Sequence, residues 1–181
     1  MKLLVSIVFS LLLASHSHGS DCPSIGPLTE KKHIAEFGLS FMHPKGFLPV
    51  EMNTPIAYIS IISRSFYEKG KATPNTVRIE FQVNKRLSFD KKQLENILKM
   101  REKEDKYTNI GTINAKGEKL PIYEWSSKSG EEKYVGLYYP LKDGKYAQVQ
   151  LTPSTNKGDD FHKRCLESFN TLAKAIIQSI E

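Results

Sequence analysis

The chain has 181 residues, 39% of them hydrophobic and 25% charged, with 26 Lys and Arg against 20 Asp and Glu for a net charge of +6. That length favours one domain with a proper core. The basic residues are interleaved with acids, as at Lys85-Arg86, Lys91-Lys92 and Lys99 to Lys106, and no nucleic-acid motif accompanies them. They read as a solvated surface, with no nucleic-acid partner expected.

Residues 1–19 have the pattern of a secretory signal peptide. Lys2 supplies a positive start, and Leu3 to Leu13 is an apolar run. That run is short of the roughly 20 apolar residues that span a bilayer, but it suits a signal h-region. Ser17 and Gly19, small residues at −3 and −1, place cleavage after Gly19, with cleavage after Ser17 as the alternative and a lipoprotein signal ending at Cys22 as a third, disfavoured by the acidic Asp21 before it. No later segment is apolar enough to span a membrane. Export follows, with the periplasm as the expected destination and the extracellular space as the alternative.

Residues 20–36 form a Pro- and Gly-containing arm, with one helical turn expected at Glu30 to Ala35. Short strands are expected at Phe37 to Phe41, Phe47 to Met52 and Ala57 to Ser63. His43-Pro44-Lys45-Gly46 reads as a turn between the first two, because proline presets φ and glycine accepts positive φ. Glu68 to Asn75 reads as an exposed loop. Thr76 to Asn84 (TVRIEFQVN) alternates strictly, with Val77, Ile79, Phe81 and Val83 on one face. It is the expected central strand.

A helix is predicted from Asp90 to Lys103. Asp90 and Gln93 fit a capping box, and Phe89 and Leu94 fit a hydrophobic staple. Leu94, Ile97, Leu98 and Arg101 mark its sheet-facing side. Four strands then follow, at Asn109 to Ala115, Leu120 to Ser126, Lys133 to Tyr139 and Tyr146 to Thr152. Turns at Lys116-Gly117, Ser129-Gly130 and Asp143-Gly144 connect them into an antiparallel meander, the last turn being the type I′ candidate. Lys157-Gly158-Asp159 reads as the cap of a final helix, Asp160 to Ile180, whose apolar residues recur every three or four positions. The fold class is α+β, a mostly antiparallel sheet sandwiched between helices, with residues 37–181 as one domain.

Cys22 and Cys165 are the two cysteines. In an exported chain they point to a disulfide. Free thiols, or a metal site in which His162 joins Cys165 and Cys22, are the alternatives. No catalytic motif stands out. His33, His43 and His162 sit beside no carboxylate in a recognisable order, and no nucleophile elbow or phosphate loop is present. The Asp159-Asp160 pair is explained by the helix start without calcium. No cofactor and no metal are expected.

The order of elements, with Phe37-Gly38-Leu39-Ser40-Phe41, then His43-Pro44-Lys45-Gly46-Phe47, then Ser168-Phe169 in the last helix, resembles the Mog/PsbP-like superfamily. Within it the chain is most similar to the DcrB-like periplasmic proteins. The resemblance covers residues 34–181. His43 stands where the family has an aromatic residue, and Phe47 where it has tryptophan. The resemblance implies an α/β/α sandwich and a protein that binds or supports other proteins, with no shared catalytic set.

Function is therefore expected to be non-enzymatic binding of a protein partner in the cell envelope. Tyrosine and tryptophan favour binding hot spots, and Trp125, Tyr138 and Tyr139 on the meander are the candidate partner-binding residues. Two alternatives remain open at this point. One is an exported hydrolase or metal-dependent enzyme using His43, Asp160 and His162. The other is a binder of lipid or of an anionic envelope polymer.

Overall fold

Alternating apolar residues along the chain fix which face each strand buries, and that alternation dictates the architecture. A computed structural model describes residues 22–67, 74–104, 106–130, 132–154 and 160–181, without the side chains at 160 and 162. The segment 1–19 expected as a signal peptide, most of the Glu68 to Asn75 loop and the Lys157-Gly158-Asp159 cap lie outside the described residues. The described elements are β1 (Leu28–Ile34), β2 (Leu39–Pro44), β3 (Leu48–Asn53), β4 (Ala57–Phe66), β5 (Asn75–Phe89), α1 (Lys91–Lys103), β6 (Thr108–Ala115), β7 (Glu118–Ser126), β8 (Lys133–Pro140), β9 (Tyr146–Ser154) and α2 (Asp160–Gln178). No described helix is long and apolar enough to cross a membrane.

Seven strands form one sheet in the order β3-β4-β5-β9-β8-β7-β6, and every neighbouring pair is antiparallel. The expected meander β6 to β9 is present. β5 is an inner strand, as its alternation demands, but β9 holds the middle of the sheet. β5 is also longer than the nine-residue pattern. It continues to Phe89 through a register shift between Val83 and Ser88, where the strand bulges against β9.

Val77, Ile79, Phe81 and Val83 are buried on one face, here called inner. Leu137 and Tyr139 of β8 and Val149 and Leu151 of β9 share that face and the same core. Phe161, Phe169, Ile176 and Ile177 of α2 pack into it, as do Leu39 and Phe41 of β2. The Phe41 ring stacks on Phe81 at 4.3 Å. Leu94 of α1 clusters instead with Tyr138 and Tyr146. Tyr138 alternates with Leu137 and Tyr139 along β8, so it points to the outer face. The capping box at Asp90 and Gln93 forms as the sequence predicts.

Several local expectations are corrected. Glu30 to Ala35 is not a helical turn. Residues 28–34 are a strand, because pairing with β2 gives their backbone groups partners that one isolated turn lacks. β2 starts at Leu39, after Gly38 at φ +60, and runs through His43 and Pro44. The turn is left to Lys45 and Gly46, with Gly46 at φ +82. The type I′ turn lies at Lys116-Gly117, where both residues have positive φ, and not at Asp143-Gly144. At the latter only Gly144 is left-handed. Its N–H donates to the Leu141 carbonyl, and the Leu141 N–H donates to Lys145, which makes a three-residue hairpin loop. Lys116 tolerates its strained backbone because its ammonium donates to the carbonyls of Phe37 and Pro140.

The chain ends are fastened to this frame. Cys22 and Cys165 sit at bonding distance with their Cα atoms 5.4 Å apart, so the segment leading into β1 is tied to α2. A bridge closing so long a loop stabilises by about 5 kcal/mol in the chain-entropy treatment. Ser40 and Glu181 exchange backbone hydrogen bonds, and the Tyr139 hydroxyl reaches the carbonyls of Gly38 and Glu181.

Phe81 fills the centre of this packing. Phe81→Ala is expected to lower the unfolding free energy by about 3–5 kcal/mol. A denaturant titration checks it, and a loss below 1 kcal/mol would mean that the Phe41 stack and the α2 contact do not carry the core.

Candidate functional site

The outer face of the sheet is where side chains are left for other work. Cross-strand partners share a face, so the pairings define one row across six strands: Met52, Ile59, Gln82, Gln150, Gly136 and Tyr123. α1 covers the part of this face that holds Tyr138 and Tyr146, and Tyr123, near Arg101 and Glu102, is buried there too. The remainder reads Arg78, Glu80 and Gln82 on β5 and Gln148, Gln150 and Thr152 on β9, all part-buried or exposed.

At the β7–β8 end of this face four side chains converge. The Trp125 and Tyr134 rings are cross-strand partners and lie nearly parallel, with centroids 5.5 Å apart and planes 14° apart. Tyr107 leans on Trp125 at 5.6 Å. The Arg101 guanidinium, from the last turn of α1, lies 4.1 Å from the Tyr107 centroid and 5.5 Å from that of Trp125. Its Nε donates to the Tyr138 hydroxyl at 3.0 Å. Trp125, Tyr134, Tyr107 and Arg101 are all part-exposed.

Gly136 is the residue that makes this arrangement possible. A Cβ there would lie 2.8 Å from the Trp125 ring and 2.8 Å from the Val149 carbonyl oxygen. Without one, the indole lies across the strand. The Tyr134 hydroxyl donates to Glu132, and that carboxylate, followed by burial, pushes its pKa up to about 12. Burial is the first cause of the upward shift at Tyr138, which Arg101 partly opposes.

The three aromatic residues singled out from sequence therefore separate. Trp125 belongs to the outer cluster. Tyr138 is buried beneath α1, and Tyr139 is buried on the inner face with its hydroxyl spent on Gly38 and Glu181. Neither presents a surface to a partner. Sequence reading missed Tyr134, Tyr107 and Arg101. A hairpin centred on Ser129-Gly130 pairs position 125 with 134, so the Tyr134 stack had a legible signal, and Arg101 already lay on the sheet-facing side of its helix.

The residues of the enzyme alternative are not brought into a described site. His43 is buried in β2, opposite Glu30, with its Nδ1 3.2 Å from the Pro44 carbonyl and 3.7 Å from the Glu30 carboxylate. The side chains of Asp160 and His162 lie outside the described residues. Among the described residues, no group of three His, Cys, Asp or Glu is close enough to hold a metal ion. One part-buried carboxylate is structural. Glu124 on the inner face accepts from Asn170 at 2.7 Å and from Lys174 at 2.6 Å, which clamps α2 to β7. Burial pushes its pKa up, and those two hydrogen bonds together with the charges of Lys174 and Lys133 more than offset it, so the carboxyl sits below its ordinary value. A cleft of about 570 Å³ also opens between segment 22–28 and α2, lined by Ile25, Leu28, Leu172 and Ala175 with the hydroxyls of Ser168 and Thr171. It contains no charged group.

Two measurements check this geometry. Gly136→Ala is expected to push the indole off the strand at a cost of about 1–3 kcal/mol, with a shift in Trp125 fluorescence. Unchanged emission and stability would contradict the close approach. The Tyr134–Glu132 hydrogen bond favours the protonated phenol in the folded state. Its contribution is complete below the unfolded tyrosine value of about 10 and disappears as pH rises through about 12. A tyrosinate titration should therefore show a late transition that is absent in Tyr134→Phe and moves down in Glu132→Gln. A Tyr134 transition at the ordinary value would remove the hydrogen bond.

No known protein family's sequence profile matches the chain, and no curated protein matches it.

Proposed function

We propose that this chain is an exported, non-enzymatic binding protein that engages a protein partner in the cell envelope through the outer face of its sheet. The observation that carries the reading is the part-exposed cluster of Trp125, Tyr134, Tyr107 and Arg101. Trp, Tyr and Arg are the residue types that dominate binding hot spots, because they bury large rigid area while keeping a polar handle. Here Trp125 and Tyr134 sit on strands, Arg101 on a helix terminus and Tyr107 in the α1–β6 connection against the Trp125 ring, held by Gly136 and Tyr138, so little ordering entropy remains to be lost on binding.

A Mog/PsbP-like α/β/α arrangement is part of the proposal. Its support is the order of elements and the separation of the two helices between Tyr138 and Tyr146 on one hand and Leu137, Tyr139 and Val149 on the other. Export to the periplasm is supported by the pattern of residues 1–19 and by the Cys22–Cys165 pair, since such bridges persist in oxidising compartments.

In-cell crosslinking of the tagged protein followed by mass spectrometry tests the binding reading. The expected result is one reproducible protein partner, lost from Trp125→Ala and from Tyr134→Ala while both variants keep a folded circular-dichroism spectrum. A partner retained by both variants, or no partner at native abundance, would overturn it.

A further inference from the structure

A second feature lies at the opposite edge of the sheet and does not depend on the Trp125 cluster. β3 is an edge strand, paired on one side only. Its Leu48, Val50 and Met52 are 71%, 58% and 44% exposed. They are the direct partners of Ser63, Ile61 and Ile59 on β4, so all of them lie on the outer face. Four strand steps put Leu48 about 13 Å from Met52. The apolar surface continues at one end. Ile56, in the β3–β4 turn, is exposed, and its carbonyl accepts the Lys85 N–H, which brings the turn beside the equally exposed Leu87.

Core packing does not account for these side chains, and an edge strand ordinarily carries charges to prevent association. The charges here stand around the apolar surface instead. Lys45 precedes β3, Arg78 is the partner of Ser63 in the Leu48 row, and Arg86 adjoins Leu87. All three are exposed and carry no ion pair among the described residues. The nearby acids Glu51 and Glu36 are paired with Lys32 and Lys85, which leaves Glu80 as the acid of this outer-face region among the described residues. Exposed apolar side chains on an edge strand, a turn and the bulged end of β5, rimmed by cations without an ion pair among the described residues on a protein of net charge +6, match the chemistry of a lipid interface. The apolar groups enter the acyl boundary while the cations meet anionic headgroups.

We propose that the β3–β4 edge, through Leu48, Val50, Met52, Ile56 and Leu87 with Lys45, Arg78 and Arg86, docks the protein on an anionic lipid surface. Co-sedimentation of the full chain with vesicles of phosphatidylcholine containing phosphatidylglycerol, and with phosphatidylcholine alone, tests it. The wild type is expected to bind the anionic vesicles. Arg78→Gln with Arg86→Gln should weaken that binding roughly thirty-fold, at about 1 kcal/mol per cation. Leu48→Thr with Val50→Thr, which places a β-branched residue suited to an exposed strand at both positions, should weaken it roughly ten-fold on the usual area scale. Trp125→Ala should leave it unchanged, which separates this proposal from the protein-binding one. Unaltered thermal unfolding of each variant shows that the fold is intact, and Met52→Gln replaces the threonine pair if that pair does not fold. Absence of vesicle binding, equal binding to phosphatidylcholine alone, or capture of a protein at this edge without vesicle binding would overturn it. Weakening by the arginine pair alone would reduce it to diffuse charge attraction and would overturn it too.

Discussion

The pairing of β5 with β9 is the constraint on which the rest depends. β3 to β5 form one run of neighbouring strands and β6 to β9 another, and only this seam makes them a single sheet. Its inner side is apolar from Ile79 to Val83, with Phe81 opposite Leu151 and Val83 opposite Val149. A slip of one residue would turn all four side chains to the other face. The register is therefore held by burial, and α2 and β2 can seal the inner face only because those side chains stay in line.

Sealing one face so completely is what gives the other its character. α1 has thirteen residues and buries little beyond Leu94, with Ile97 and Leu98 half-covered. It caps Tyr138 and Tyr146, lies near the buried Tyr123, and leaves much of the outer face open. That remainder divides into an aromatic end around Trp125, a polar middle of Gln82, Gln148 and Gln150, and an apolar edge at β3. Stability resides mainly on the inner side, so the outer side is free to vary in chemistry at little structural cost. The tie of Cys22 to Cys165 acts on the inner side as well, and leaves both ends of the outer face untouched.

Much of this was legible in the sequence. Strict alternation at 76–84 identified the inner strand, the Asp90 capping box placed α1, and glycine-bearing turns divided the meander. β1 was not legible, because Glu30 to His33 are polar helix formers and only the partner strand makes them extended. The turn at Asp143-Gly144 looked like the tightest hairpin, yet loop length decided the type, and the two-residue loop fell at Lys116-Gly117. Tyr138 and Tyr139 show the main limit. Adjacent strand residues must point to opposite faces, but nothing in the local pattern tells which face a distant helix covers. Both turned out to be covered, one by α1 and the other in the α2 core. The cluster around Trp125 combines a helix terminus with two strands, and such convergence exists only once the chain is folded.

A photo-crosslinking residue at position 134, compared with one at position 171 on the exposed side of α2, tests the central claim most directly in the producing cell. An adduct with one protein from position 134 and none from position 171 is the predicted result. Equal labelling from both positions, or labelling from 171 alone, would contradict the outer face as the binding surface.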